Sequence, residues 1–260
     1  MITLTIGAYN HQSGGIDAGS DRRLLRQLDM IEVLELDALL STEATGWFDH
    51  GRGALHLVAR RLGMQPLWVR APRHDCNLVI FIRTDRLQVM EERHEQGHPW
   101  WHAQARVVVA VEGVNEPLWL VAAHFAPFNP DIRVAEARAT AELADRLTVM
   151  GGDWNDEGIG DEATNWAAVP GYEALRHASA GGESAADILA RAGFVDVAGL
   201  LVPNPRDRRP TAGIPRAPIR CDRIYVSEQV GDAPVAYRVL DDQQKLSDHR
   251  FVLAEIALPT

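Results

Sequence analysis

The sequence predicts a mixed α/β fold of the α+β kind, with a largely antiparallel set of strands packed with helices in one large domain spanning residues 1–260. Three observations lead there. Apolar stretches of strand length follow one another with short turns ("QPLWVR", "NLVIFIR", "ARVVVAVEG", "PLWLVAAHF"), which favours antiparallel pairing over repeated crossovers. Segments with helical periodicity and clear start signals lie between such strands. Of the 260 residues, 46% are hydrophobic and 24% charged, the balance of a globular chain with a sizeable core.

The chain opens on a strand, since Ile2, Leu4 and Ile6 alternate with Thr3 and Thr5. "RRLLRQLDMIEVLE" then places Leu24, Leu28, Ile31 and Leu34 on one helical face, and "DALLST" is the next buried strand, running to Glu43. A second helix, "GALHLVARRLG", precedes the succession of strands. In "NPDIRVAEARATAELADRL", Asn129 is placed to cap a helix that has Pro130 at its first position. In "SAADILARAG", Ser184 and Asp187 have capping-box spacing and Gly193 supplies the stop. "RCDRIYVS", "VAYRVL" and "HRFVLAEIAL" read as the final strands. Residues 202–218 stand apart, with four prolines before residue 216 and Arg206, Arg208, Arg209 and Arg216. This is a basic loop in an acidic protein, and it reads either as a solvated surface loop or as one that contacts substrate.

A formal net charge of −10 argues against non-specific coating of nucleic acid, because such binding depends on neutralising phosphates with Lys and Arg. It leaves room for an enzyme that grips a few phosphates locally. Cys76 and Cys221 lie in dissimilar surroundings, so the reading offers neither a disulfide framework nor a cysteine metal site. No leader pattern and no apolar run near the roughly 20 residues of a membrane span is seen. The expectation is a cytoplasmic protein with no membrane contact and no obligate protein partner.

Chemistry-bearing residues gather where strands stop: Asn10, Glu43, His124, Asp153 and Asn155, with Asp222 opening one strand and Asp248 and His249 preceding another. Singly, each has an ordinary explanation as a turn, cap or surface group. Together they are too many ionisable groups for a core unless they face solvent, pair or hold a metal. The segment "VMGGDWNDEG" also invites comparison with a calcium loop starting at Asp153. That loop needs a glutamate at its twelfth position, which is Thr164, and a helix leading in, where "TVMGG" is β-branched and broken by glycine.

The ordered set, Tyr9-Asn10, Thr42-Glu43, "AAHF", "GGDWN", "RCDRI" and the late "SDH", resembles the endonuclease/exonuclease/phosphatase superfamily from residue 3 to about residue 255. The resemblance implies a four-layer α/β sandwich, two packed and mostly antiparallel sheets flanked by helices, and hydrolysis of phosphoesters with Mg²⁺ or Mn²⁺. It implies Glu43 as the main metal ligand, with Asn10 beside it and Asp248 near the ion. Asp153 would orient or deprotonate water and Asn155 would hold a phosphate oxygen. His249, partnered by Asp222, would donate to the phosphoryl oxygens, and His124 would act on the phosphate or leaving group, with Asp75 as its candidate carboxylate. These residue types suit the chemistry, which builds negative charge on oxygen and needs donors there and a base for water.

Thr42, Tyr9 and Arg223 stand where many family nucleases have Gln, Trp and Tyr, and Gln12 argues against abasic-site repair. The leading expectation is a phosphodiesterase or nuclease acting on DNA or RNA, with Arg206, Arg208, Arg209 and Arg216 as substrate-binding residues. Hydrolysis of a small phosphorylated metabolite, and a catalytically silent binding module, are the alternatives.

Overall fold

Strand β1 (Ile2–Asn10) shows how residue pattern sets the layering. Leu4, Ile6 and Ala8 project on one face into a core shared by two sheets, while Tyr9 projects on the other, under a helical layer. Only the first half of the strand alternates polar with apolar, because both faces of the second half are covered. The computed structural model describes residues 1–171, 174, 182–212, 217–231, 234–241 and 245–259.

In one six-stranded sheet, β1 lies between β12 (Val252–Leu258) and β2 (Ala38–Thr42), with β11 (Pro234–Val239) at one edge and β4 (Leu78–Ile82) followed by β3 (Gln65–Val69) at the other. The second six-stranded sheet runs β5 (Leu87–Glu92), β6 (Gln104–Val111), β7 (Leu118–His124), β8 (Thr148–Asp153), β10 (Asp222–Ser227) and β9 (Phe194–Asp196). Pairing is antiparallel throughout except for β1 with β2 and β7 with β8. Each sheet is therefore mixed, with its one parallel pair near the middle. The strand succession and its mostly antiparallel pairing agree with the sequence reading, which passed over β5 and β9.

Helices α1 (Arg22–Glu32) and α2 (Gly53–Leu62) cover the outer face of the first sheet with Leu24, Leu28, Leu55 and Val58. α3 (Pro130–Thr140) and α4 (Ala185–Arg191) cover the second with Ala137, Ile188 and Leu189. A short α5 (Val197–Leu201) was not anticipated. The caps form as their residue types dictate: Asn129 accepts from the Asp131 and Ile132 N–H groups, and Ser184 and Asp187 make a reciprocal capping box. The four layers are helices, sheet, sheet, helices. No helix among the described residues is long and apolar enough to cross a membrane.

The paired glycines before Asp153 do two different jobs. A Cβ on Gly151 would lie 2.9 Å from Leu40 Cδ1 and 3.1 Å from Ala8 Cβ, so this glycine lets the two sheets approach closely. Gly152 has φ 145°, and a Cβ there would overlap the main-chain carbonyl of Ala123 in the neighbouring parallel strand. Replacing Gly152 by Ala is expected to destabilise the protein by about 3 kcal/mol or more, adding backbone strain to a clash that cannot relax. Gly53→Ala, where a Cβ meets nothing within 4 Å, is expected to stabilise by up to about 1 kcal/mol. Urea unfolding midpoints of the two variants check both values.

Candidate active site

Both parallel pairs end at the same place. Asn10 is in register with Thr42 at the end of β1 and β2, and His124 is in register with Asp153 at the end of β7 and β8. Asp222, the first residue of the antiparallel β10, also registers with Asp153. Because Asn10 follows Ala8 by two residues and Asp153 follows Gly151 by two, both side chains emerge on the faces where the sheets approach. The Asn10 amide Nδ2 thus donates across the sandwich to Asp153 Oδ2 at 3.2 Å and to Glu43 Oε1 at 3.1 Å.

Asp153 is buried and its two oxygens have separate surroundings. Oδ1 accepts the Asn155 backbone N–H at 3.0 Å, whereas Oδ2 faces Asn10, His124 Nε2 at 3.4 Å and His249 Nε2 at 3.8 Å. Burial alone would raise this carboxyl, but His249 and His124 override it and hold Asp153 below the usual carboxylate range. His249 Nδ1 meets Asp222 Oδ2 at 2.7 Å. Burial opposes charge on His249, yet the Asp222 and Asp153 carboxylates outweigh it and raise the imidazole well above its usual pKa. His249 is therefore a cation at neutral pH, oriented by Asp222 with Nε2 turned toward Asp153.

Backbone geometry fixes the rest. Glu43 and Asn155 adopt left-handed φ values of 54° and 49°, as do Gln12 (50°) and Ser13 (54°) in the loop beside them. Non-glycine residues held there carry strain of a kind that concentrates at functional sites. Glu43 Oε2 accepts the Ser13 N–H at 2.8 Å, and Asn10 Oδ1 accepts that of Gln12 at 2.9 Å. Ser247 ties the late "SDH" segment to β1 by donating to the Asn10 carbonyl at 2.8 Å, and the Thr211 hydroxyl accepts the Asp222 N–H at 2.8 Å. Gln12, Ser13, Thr211, Ser247 and Cys221, whose Sγ lies 3.5 Å from Asp222 Oδ2, are site residues the sequence reading missed. Cys221 and Ser247 stood inside the quoted motifs, Gln12 was weighed only against abasic-site repair and Thr211 lay in the basic loop; Ser13 gave no sequence signal.

The structure thus brings together Asn10, Glu43, His124, Asp153, Asn155, Asp222 and His249, and it corrects several expected details. Asn10 stands beside Glu43 but presents its amide nitrogen, not its oxygen, to the carboxylates. Asn155 donates its amide to the Phe125 carbonyl at 3.0 Å, pinning the strand end. Asp248 does not join Glu43: its side chain is half exposed and flanks His249, with Oδ1 3.9 Å from Nε2. Asp75 is not the partner of His124, since it accepts the Gly46 N–H and the Asn77 amide, each at 2.6 Å. Asp153 takes that place.

The arginines are corrected as well. Arg208 is buried, donating to the Val202 carbonyl at 2.7 Å and to Asp161 Oδ1 at 3.3 Å. Arg209 pairs with Asp241. Arg206 is largely exposed and makes only a 3.5 Å contact with Glu162, while Arg216 lies outside the described residues. Among the loop's described residues, Arg208 and Arg209 are held to their own protein, and Arg206 is the most exposed of the three arginines. Arg208→Ala is expected to destabilise by about 2 kcal/mol, since it removes charged hydrogen bonds to the part-buried Val202 and Gly199 carbonyls together with the Asp161 ion pair, and Arg206→Ala by less than about 0.5 kcal/mol. Thermal unfolding of the two variants tests the distinction.

The two six-stranded sheets and their helical flanks are a fold shared with solved structures. Neither the protein-family models nor the curated proteins compared with this chain give a match. Solved structures do. The chain is similar to an endonuclease/exonuclease/phosphatase family protein from Bacteroides thetaiotaomicron, at 15% identity and TM-score 0.68 over 100% of this chain and 99% of that one. It is similar to D. rerio TDP2 complexed with single strand DNA product, at 14% identity and TM-score 0.67 over 98% and 99%. The human Nocturnin catalytic domain with bound sulfate anion is similar at 14% identity and TM-score 0.65 over 99% and 95%.

Proposed function

We infer that this protein is a divalent-metal-dependent phosphoester hydrolase of the endonuclease/exonuclease/phosphatase superfamily, acting as a phosphodiesterase on DNA or RNA. The observation that carries the reading is the Asp153 carboxylate shared by an amide and two imidazoles, with Asp222 behind one of them and Glu43 alongside. A binding module has no need of this arrangement. The donor set fits a hard cation: Glu43 Oε1 and Asp153 Oδ2 both converge on the Asn10 amide, and among the described residues neither has a Lys or Arg ion pair. Mg²⁺ or Mn²⁺ suits such oxygens, with Glu43 as its principal ligand, and supplies Lewis-acid stabilisation of charge on the phosphoryl oxygens.

The chain's own residues account for proton movement. Asp153, kept ionised, accepts a proton from the attacking water as its oxygen bonds to phosphorus and the ester P–O bond breaks. His249, charged and held by Asp222, donates to the phosphoryl oxygens as their charge grows. His124 lies across Asp153 from His249 and is placed to serve the phosphate or the leaving oxygen. Asn155 and Asn10 keep the carboxylates in position.

A nucleic-acid substrate is supported by the surface next to His124. Trp101 and the exposed Phe128 meet edge-on with centroids 4.5 Å apart, and the Arg73 guanidinium lies 5.1 Å from the Trp101 ring. The exposed Phe128 and the half-buried Trp101, with an arginine, form a stacking surface that accepts any base. A neighbouring structure holding single strand DNA product is consistent with this substrate class.

Hydrolysis is expected to require Mg²⁺ or Mn²⁺ and to stop in excess chelator. Glu43→Ala, Asp153→Asn and His249→Ala should each lower kcat by about 100-fold to 10,000-fold with circular dichroism unchanged. Because Asp222 raises the His249 pKa, activity should fall on the alkaline side only well above the ordinary imidazole value of about 6.5, and Asp222→Asn should move that limb toward acid. A pH profile of kcat/KM unchanged by Asp222→Asn would remove His249 as the donor. Phe128→Ala should raise KM for an oligonucleotide by about tenfold while leaving a small phosphodiester unaffected. Equal effects on both would favour a small phosphorylated metabolite as substrate.

A further inference from the structure

The face of the His124 ring is covered by a second histidine, which the proposed hydrolysis does not use. His102 stacks on it with centroids 3.9 Å apart and planes 10° apart. His74 meets His102 edge-on at 4.6 Å. His102 is buried, and neither of its ring nitrogens has a hydrogen-bond partner; Nε2 of His74 has none either. Such atoms are unfavourable in a protein interior unless something satisfies them.

A sulfur completes the group. One nitrogen from each of His74 and His102 and Sγ of Cys76 all lie within 4.8 Å of one another. His74 and Cys76 come from the β3–β4 connection, where the Cys76 N–H donates to His74 Nδ1 at 3.1 Å and folds the segment compactly, while His102 comes from the β5–β6 connection. A neutral imidazole offers one lone pair; that of His74 faces the Cys76 N–H at Nδ1, and ligation of a metal by His74 takes the place of that hydrogen bond. Two imidazoles and a cysteine sulfur are borderline-soft donors, and the Cys76 thiol, which burial pushes up to about 12, must release its proton as it binds the ion. They select Zn²⁺ over Mg²⁺, in a set that leaves one of four tetrahedral positions for water or another group.

We propose that His74, Cys76 and His102 bind a Zn²⁺ ion and that this ion positions His124 by fixing the ring on which it stacks. The site is separate in chemistry from the hard-oxygen site at Glu43, although Cys76 also lies within 4.8 Å of ligand atoms of Glu43 and His124. The dissimilar surroundings of the two cysteines spoke against a cysteine metal site, but a single cysteine suffices once folding delivers two histidines to it. The assignment concerns binding and does not depend on the activity proposed above.

Cobalt serves as the spectroscopic probe, because thiolate ligation gives Co²⁺ an intense charge-transfer absorption that oxygen ligation lacks. The full chain, stripped with chelator and desalted, should take up a single equivalent of Co²⁺ with that band, and Zn²⁺ but not excess Mg²⁺ should displace it. Cys76→Ser should abolish the band and His102→Gln should abolish or strongly weaken it, whereas Glu43→Gln and Asp153→Asn should retain it. Absence of the band in the unmodified protein, its persistence in Cys76→Ser, or its loss in Glu43→Gln would each overturn the proposal. Absence of the band in the unmodified protein overturns the proposal even where a variant fails to fold.

Discussion

A buried carboxylate at the meeting point of two sheets is the constraint around which this protein is arranged. Asp153 cannot be ionised in an apolar interior without partners, and it receives them from both sides of the sandwich: the Asn10 amide from one sheet, His124 from the other, and His249 from the segment before β12. Those groups hold it charged. Each then requires its own support, which explains Asp222 behind His249 and the Ser13 and Gln12 N–H groups on Glu43 and Asn10. The site's outer parts are consequences of keeping one charge in place.

Sheet geometry makes that charge reachable. A parallel strand pair lies near the middle of each sheet, and both pairs end at the same edge of the sandwich. Ala8 and Gly151 are small where the sheets face each other, so side chains two residues further on span the gap. The fold is shared with solved structures at only 14–15% identity, so the fold itself survives almost complete replacement of the sequence. Local rules, namely small residues at the approach and polar residues at strand ends, are enough to build it.

Much of this was legible in the chain itself. Strand ends carrying Asn10, Glu43, His124 and Asp153 could be read because apolar runs stop abruptly at them, and the caps at Asn129 and Ser184 could be read because capping is local. β5 escaped because "LQVMEE" lies exposed at a sheet edge and has little apolar pattern, and β9 because three residues give no periodicity. Asp75, Arg208 and Arg209 were misread for a different reason. Their partners, Gly46, Asn77, Asp161 and Asp241, are set by tertiary contacts that no local pattern encodes. The left-handed φ of Glu43 and Asn155 and the stacking of His102 on His124 are likewise products of packing.

The division of the site between two sheets bears on how the protein fails under stress. Asn10 and Glu43 ride with one sheet, His124, Asp153 and Asp222 with the other, and the two are held together mainly by a non-directional apolar layer, with the Asn10–Asp153 hydrogen bond at its edge. A sliding of one sheet over the other by about 1 Å would leave every strand hydrogen-bonded and still separate reacting groups far enough to lose about 100-fold in rate. Warming or mild denaturant should therefore silence the proposed hydrolysis while the secondary structure is intact. Turnover in this architecture is a gauge of how well the two halves are docked.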